Sequence, residues 1–129
     1  MSNGPFYQGG CRCGAVTLMT CHAPLATGHC DCATCREVVG ARQRVLLLWP
    51  ADQLQLATGV DELVSSRIPG GGVAYHCGRC GDSVLAEYPE EALVELGAET
   101  IPDVPLEPGS DDTQEALFVR LGHRPIVEP

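Results

Sequence analysis

GGCRCGAV at residues 9–16 and HCGRCG at residues 76–81 each place two cysteines on a short segment that a glycine follows. Such a pair is typical of a zinc knuckle, because the tight turn at the thiols needs a residue that tolerates positive φ. Two knuckles supply the four thiolates of a closed tetrahedral site, whose negative charge Arg12 and Arg79 are placed to offset. A redox dithiol is the alternative for either pair. We predict a structural zinc site formed by Cys11, Cys13, Cys77 and Cys80.

The second cysteine group along the chain, CDCATC at residues 30–35, has three thiols and no evident fourth ligand. Three protein ligands leave one tetrahedral position open, which is the arrangement of a catalytic zinc. The sequence alone leaves Fe(II) or another thiophilic ion open. The alternative is a second structural site completed by His29, His22 or Cys21; His29 is otherwise a candidate to support a ligand or to transfer a proton. We predict two zinc ions per chain, the second held by catalytic Cys30, Cys32 and Cys35.

Charge restricts the partners of this 129-residue chain, whose net charge is −9. An acidic protein is repelled by a phosphate backbone, so we expect no nucleic-acid partner. Lysine is absent, which excludes a Schiff-base mechanism from this chain. Arginines cluster immediately after the second cysteine group, and such a cluster would bind an anionic substrate. The alternative is that these arginines are surface residues without a function in binding. The candidate substrate-binding residues are Arg36, Arg42 and Arg44.

The cellular compartment follows from the start of the sequence and from the thiols. The first ten residues have neither a basic run nor an apolar stretch, and the longest apolar run, residues 45–49, is too short to span a membrane. We therefore expect a cytoplasmic protein with no membrane partner. Close-spaced cysteines in a reducing compartment are more often metal ligands or catalytic groups than disulfides.

Short apolar and β-branched runs separated by glycine or proline predict a β-rich domain. Short helices of one or two turns are expected at residues 32–38 and 89–92. We divide the chain into a tail at residues 1–8 and one zinc-binding domain at residues 9–127, with a solvated, acidic, proline-rich loop at about residues 98–115. The predicted strands are residues 15–20, 41–49, 53–57, 63–68, 83–88, 93–97 and 117–121.

The order of the motifs resembles the glutathione-dependent formaldehyde-activating enzyme family, also called CENP-V/GFA domain proteins. The resemblance lies in G-G-C-x-C-G-x-V at residues 9–16, H-C-x-C-x-x-C-R at residues 29–36 and C-x-x-C-G at residues 77–81, and it covers about residues 9–127. It implies a mainly β, Mss4-like fold (β-tent) of antiparallel sheets with zinc knuckles. It also implies that the first and third motifs form the structural zinc site and the second forms the catalytic one.

The resemblance implies an activity as well, in which the thiol of glutathione adds to formaldehyde to give S-(hydroxymethyl)glutathione. Many members have His and Trp near the last strand, where this chain has Leu117 and Ile126, so the aldehyde and the thiol remain open. We expect a zinc-dependent carbon–sulfur lyase-type enzyme whose partner is a small thiol such as glutathione. The alternative is a non-enzymatic zinc-binding module with two structural sites that acts through protein interaction. The sequence does not indicate an oligomeric state.

Overall fold

The structure, a computed structural model, describes residues 5–30, 44–68, 71–105 and 121. These residues form nine strands and three single-turn 3-10 helices, so the prediction of a mainly β, antiparallel fold with little helix is confirmed. The 3-10 turns are Ala51–Gln53, Val60–Glu62 and Pro89–Glu91. The strands are β1 (Phe6–Gly10), β2 (Thr17–Cys21), β3 (Ala26–Cys30), β4 (Arg44–Pro50), β5 (Leu54–Thr58), β6 (Leu63–Ile68), β7 (Gly72–Cys77), β8 (Ser83–Tyr88) and β9 (Leu93–Gly97).

The strands form two antiparallel sheets, one with the order β1-β2-β5 and one with the order β3-β4-β9-β8-β7-β6. In the smaller sheet β1 and β2 are a hairpin, paired from Phe6 with Cys21 to Gly10 with Thr17. In the larger sheet β7 and β8 are a second hairpin. The first cysteine motif lies in the turn of one hairpin and the second knuckle lies in the turn of the other, so the fold offers one thiol pair from each sheet.

The larger sheet is buried on both faces around β4, whose sequence RVLLLWP is a continuous apolar run after its first residue. Leu47 and Trp49 are fully buried in a core shared with the smaller sheet, where they meet Leu18 of β2. Leu46 and Leu48 point to the opposite face and pack in a second cluster with Tyr88. Each buried side chain of this size contributes on the order of 1.5–3 kcal/mol through removal of apolar surface from water.

Three of the predicted strands, β6, β8 and β9, have the predicted bounds, and β2, β4 and β5 overlap their predictions. The strands β1, β3 and β7 were not predicted, because glycines interrupt their apolar pattern. Residues 6–8 belong to β1, which corrects the predicted tail at residues 1–8. The glycines of β1 are required by close neighbours: a β-carbon at Gly9 would collide with the carbonyl oxygen of Thr100, and one at Gly10 with that of Val16.

The segment after β9 is partly buried over residues 98–105, which corrects the prediction of a solvated loop at residues 98–115. Thr100, Ile101 and Val104 are 3%, 0% and 4% exposed, and the two apolar residues join the core between the sheets. Proline and acid content predicted solvation, but three apolar or small residues among residues 98–105 are enough to anchor the turn. The second part of that segment lies outside the described residues.

Other expectations also fall outside the described part of the chain. These are the helical turn at residues 32–38 and the strand at residues 117–121 apart from Leu121, which is buried. The predicted turn at residues 89–92 is present as the 3-10 helix Pro89–Glu91. Among the described residues, no helix has the length and apolar content needed to cross a membrane.

Candidate metal centre

The first knuckle lies between β1 and β2. The amide of Cys11 donates to the carbonyl of Val16 at 3.0 Å and continues the ladder past the turn, and the amide of Gly14 donates back to the carbonyl of Cys11 at 3.1 Å. Gly14 closes this turn with a φ of 80°, a left-handed conformation that glycine adopts without strain. The turn therefore places Cys11 and Cys13 at the tip of the hairpin.

The second knuckle repeats this geometry between β7 and β8. The amide of Cys77 donates to the carbonyl of Asp82 at 2.9 Å, and the amide of Gly81 donates to the carbonyl of Cys77 at 2.8 Å. Gly81 also has a φ of 80°. Although one motif has one residue between its cysteines and the other has two, a left-handed glycine ends both turns, as the sequence predicted from the glycine in each motif.

The two knuckles face each other and bring four sulfur atoms together. The Sγ atoms of Cys11 and Cys13 are 3.5 Å apart, those of Cys13 and Cys77 are 3.7 Å apart, and all four ligand atoms, including that of Cys80, lie within 4.8 Å of one another. Four sulfurs placed about 2.3 Å from a central zinc ion would be about 3.8 Å from one another. A disulfide would require about 2.05 Å, so these are separate thiols. The donor set and its spacing fit a tetrahedral zinc ion.

Backbone amides support the sulfur atoms of this cluster. The amide of Val16 donates to Sγ of Cys11 at 3.3 Å, and the amide of Arg79 donates to Sγ of Cys77 at 3.4 Å. Hydrogen bonds of this kind orient the ligands and disperse thiolate charge. Cys11 and Cys77 are buried, Cys80 is half-buried and Cys13 is exposed, so one edge of the cluster faces solvent.

The thiols perturb one another's ionisation. Burial acts to raise the pKa of Cys11, but hydrogen bonds from the Val16 amide and the neighbouring thiols outweigh it and lower the pKa to about 6. The Ala15 amide acts to lower the pKa of Cys13, but burial and the same neighbouring thiols raise it to about 12. Hydrogen bonds from the amides of Asp82 and Cys13 lower the pKa of Cys80. The surroundings therefore favour the thiolate at Cys11 and Cys80 and disfavour it at Cys13, where a bound cation would offset the added charge.

The arginines of the knuckles are exposed and each is paired with a carboxylate. Arg12 lies 3.4 Å from Asp82, and Arg79 lies 2.9 Å from Glu62. The Glu62 carboxylate, followed by the nearby Cys13 and Cys77, raises the pKa of Arg79. Exposed ion pairs of this kind contribute about 0–1 kcal/mol to stability, and the carboxylate beside each guanidinium offsets part of its positive charge.

Two residues that the sequence analysis did not select join the knuckles. The carboxylate of Asp82 accepts a 2.7 Å hydrogen bond from the amide of Arg12 in the other knuckle. Thr100 accepts from the amide of Gly10 at 3.0 Å through its carbonyl, and its hydroxyl donates to the carbonyl of Ser83 at 3.1 Å. Gly10 precedes the first knuckle and Ser83 follows the second. An Asp directly after C-x-x-C-G was the available sequence signal; Thr100 had none.

Of the second cysteine group, the structure describes the backbone of Cys30, which ends β3. Cys30 is the cross-strand partner of Arg44, the first residue of β4, and half-buried His29 is the partner of Val45. The other predicted residues of this region, Cys32, Cys35, Arg36 and Arg42, lie outside the described part of the chain. Among the described residues, the first and third motifs form the one group of three or more ligands close enough to hold an ion.

The alternative ligands for the second group also have defined places. Cys21 ends β2, and His22 follows it with a φ of 71°. The carbonyl of His22 accepts a 3.0 Å hydrogen bond from the indole nitrogen of Trp49, so this unusual backbone conformation satisfies a buried donor. Arg44 is buried and its guanidinium contacts Glu99 and Ser83.

Comparisons with known proteins agree with this architecture. The model of the family described as glutathione-dependent formaldehyde-activating enzyme matches residues 6–117. A Rhodobacter sphaeroides protein, whose crystal structure was determined as a structural genomics target, is 20% identical. The match covers 78% of this chain and 91% of that chain with a TM-score of 0.61, and at this identity it shows the fold alone. No curated protein matches the chain significantly.

Proposed function

The chain belongs to the glutathione-dependent formaldehyde-activating enzyme family, and from this we propose that it is a zinc-dependent carbon–sulfur lyase-type enzyme. Its substrate is the adduct of a small thiol, glutathione or a close analogue, with an aldehyde such as formaldehyde. The observation that carries the proposal is the family match over residues 6–117, which includes all three cysteine motifs. The four-thiol cluster supports it, because a site of this donor set and spacing fits structural zinc.

The two cysteine groups have different roles in this proposal. Cys11, Cys13, Cys77 and Cys80 hold a structural ion that joins the two sheets, since each hairpin supplies one pair. Cys30, Cys32 and Cys35 hold a second zinc ion. When bound there, zinc supplies Lewis acidity and favours the thiolate form of a thiol substrate.

The reaction makes or breaks one carbon–sulfur bond. In the direction of synthesis, the thiol sulfur attacks the aldehyde carbon, the carbonyl π pair moves to oxygen, and the proton lost by the thiol is gained by that oxygen. The reverse direction breaks the carbon–sulfur bond and returns the proton to sulfur. His29 is the candidate for proton transfer, because it precedes Cys30, is half-buried, and carries an imidazole ring with one nitrogen that can donate and one that can accept a proton.

Binding of an anionic thiol requires local positive charge, because a net charge of −9 repels an anion at long range. We propose that Arg36 and Arg42 supply this charge next to the second cysteine group. An arginine binds a carboxylate with two parallel hydrogen bonds, so a small number of arginines can overcome the dispersed acidic charge.

The proposal is tested by exchange spectroscopy on the zinc-loaded protein with glutathione and ¹³C-formaldehyde, because the uncatalysed reaction also reaches equilibrium. We expect the exchange rate between free aldehyde and adduct to rise in proportion to protein concentration, and to fall to the uncatalysed rate with Cys32→Ser. Serine preserves size but is a poor ligand for zinc. An exchange rate independent of the protein, or unchanged by Cys32→Ser, would contradict the enzymatic proposal and favour a structural zinc module.

A further inference from the structure

Arg44 makes a bidentate contact with Glu99 at the end of the larger sheet. Its Nε donates to the two carboxylate oxygens at 3.3 and 3.1 Å, and its terminal nitrogen donates to Oε2 at 2.7 Å. The Arg44 side chain is 9% exposed and the Glu99 side chain is 36% exposed. This is the arrangement by which arginine binds a free carboxylate ligand, and here the solvent-facing partner is the carboxylate.

The pair lies beside the start of the second cysteine group. Arg44 is the cross-strand partner of Cys30 in the β3–β4 ladder. Directly opposed residues of an antiparallel pair have Cα atoms about 4.5–5.5 Å apart. The backbone of Arg44 therefore lies beside the first cysteine of the group, and its guanidinium extends to the other side of β4, toward Ser83 of β8 and Glu99 after β9. Arg12 and Arg79, in contrast, belong to the knuckles of the other cluster.

The fold makes room for the Glu99 carboxylate at this place. Gly97 ends β9, and a β-carbon at Gly97 would overlap the carboxylate of Glu99. The absence of a side chain allows Glu99 to fold back over the end of the strand and reach Arg44. Ser83 Oγ accepts from the terminal nitrogen of Arg44 at 3.5 Å and helps to fix the plane of the guanidinium.

We propose that Arg44 is the binding site for a carboxylate of the thiol substrate, and that Glu99 occupies this site until the substrate displaces it. The inference rests on the proposed function, since it assigns part of the thiol's binding site. Removing Glu99 without a replacement would leave a largely buried guanidinium with fewer partners, which is costly. A substrate carboxylate restores the charge-assisted hydrogen bonds, whereas a thiol without a carboxylate cannot. Glu99 therefore selects for carboxylate-bearing thiols.

Calorimetric titration of the zinc-loaded, full-length protein tests this exchange, with glutathione and its diethyl ester as the two ligands. The ester keeps the thiol and the peptide but lacks both carboxylates. Glu99→Gln keeps the shape of the side chain and removes its charge, and Gly97→Ala displaces the carboxylate from Arg44. Because both weaken the internal competitor, we expect both to raise glutathione affinity by roughly five- to tenfold and to change ester affinity by less than about twofold.

Two further variants separate local from general effects. Glu90→Gln removes the same charge from an exposed position and should leave both affinities within about twofold of wild type. Arg44→Lys keeps the charge but loses the bidentate contact, so glutathione affinity should fall by roughly tenfold. Near-UV circular dichroism checks that each variant is folded. If Gly97→Ala does not fold, the comparison of Glu99→Gln with wild type still tests the exchange.

The outcomes distinguish this inference from the proposed function. If neither glutathione nor its diethyl ester binds the wild-type protein, the proposed function and the exchange of carboxylates both fail. If the ligands bind but Glu99→Gln leaves glutathione affinity unchanged or lowers it, the exchange of carboxylates is wrong and the proposed function stands. Equal gains for glutathione and its diethyl ester would also overturn the exchange, because the gain would then not depend on a carboxylate.

Discussion

The backbone amide of Arg12 donates a 2.7 Å hydrogen bond to the carboxylate of Asp82 and thereby joins the two cysteine knuckles. The backbone carbonyl of Asp82 also accepts a hydrogen bond from the amide of Cys77. Asp82 therefore closes the second knuckle with its backbone and contacts the first knuckle with its side chain. The four sulfur atoms are thus held near one another by protein contacts that lie outside the ligand set. Such contacts fix ligand positions before the ion binds, which lowers the entropic cost of forming the site.

We expect Asp82→Ala to weaken the metal centre more than Asp82→Asn. Alanine removes the acceptor of the Arg12 amide, and because this contact is exposed and water can replace it, the cost should be about 0.5–1 kcal/mol in the free energy of unfolding. The loss should also accelerate zinc release to a chelating dye. Asparagine retains an acceptor and loses only the exposed ion pair with the Arg12 side chain, so its effect should be smaller. Equal effects of the two variants would show that the amide contact does not support the site.

The glycines of the knuckles should be needed for backbone conformation alone. Gly14 and Gly81 both have positive φ, and a β-carbon at either position would meet no atom of the described part of the chain within 4 Å. Alanine at either position should therefore destabilise the zinc-loaded protein by about 1 kcal/mol through left-handed strain. Asparagine tolerates this region better and should cost less. Urea unfolding measures the difference, and alanine variants as stable as wild type would contradict the assignment of strain.

Two buried threonines should respond in opposite ways to substitution by valine. The Thr100 hydroxyl donates to the carbonyl of Ser83, so Thr100→Val should destabilise the protein by about 1 kcal/mol. The Thr20 hydroxyl is buried and has no hydrogen-bond partner among the residues that the structure describes, so Thr20→Val should be neutral or stabilising. Thermal unfolding of both variants under the same conditions provides the comparison. A larger loss for Thr20→Val than for Thr100→Val would contradict this account of the two hydroxyls.

The sequence predicted the metal-binding motifs better than the contacts that support them. Cysteine spacing with a following glycine is a local signal, and it led to four residues that the structure places within ligand distance of one another. The contacts of Asp82 and Thr100 depend on the approach of two hairpins from different sheets; the Asp that follows C-x-x-C-G marks the position of Asp82 but not its partner, and no local pattern marks Thr100. The buried Ile101 was missed for the same reason, since its burial depends on the smaller sheet and not on its acidic neighbours.

The strands, like the metal-binding motifs, were predicted where a local sequence pattern is present. β8 and β9 have enough apolar residues to be predicted with their exact bounds. β1 and β7 contain glycines, which lower strand propensity. Glycine is required at such positions because other groups approach closely: a β-carbon at Gly72 would lie 2.7 Å from the Tyr88 ring. Arg44 was predicted to bind substrate; its contact with Glu99 could not be predicted, because the two residues are far apart in sequence.

Removal of metal should separate the two cysteine groups. We expect two zinc ions per chain, one lost to a mild chelator and one retained until the protein unfolds. In the proposed arrangement three protein ligands hold the ion that is lost, and four hold the ion that is retained. Cys77→Ser should unfold or aggregate the domain, since a structural zinc contributes directly to folding free energy. Cys32→Ser should remain folded by far-UV and near-UV circular dichroism. Equal collapse of both variants would contradict the division into two sites.

Zinc K-edge X-ray absorption on the triple variant Cys30→Ser, Cys32→Ser, Cys35→Ser tests the four-thiolate site most directly, because the variant leaves the knuckles as the remaining cysteine cluster. We expect one zinc ion per chain surrounded by four sulfur atoms at about 2.3 Å, with no nitrogen or oxygen ligand. Cys13→Ser in the same background should lower the sulfur count to three or abolish binding. A zinc ion with mixed sulfur and nitrogen or oxygen ligands in the triple variant, or no bound zinc in a folded protein, would contradict the site formed by Cys11, Cys13, Cys77 and Cys80.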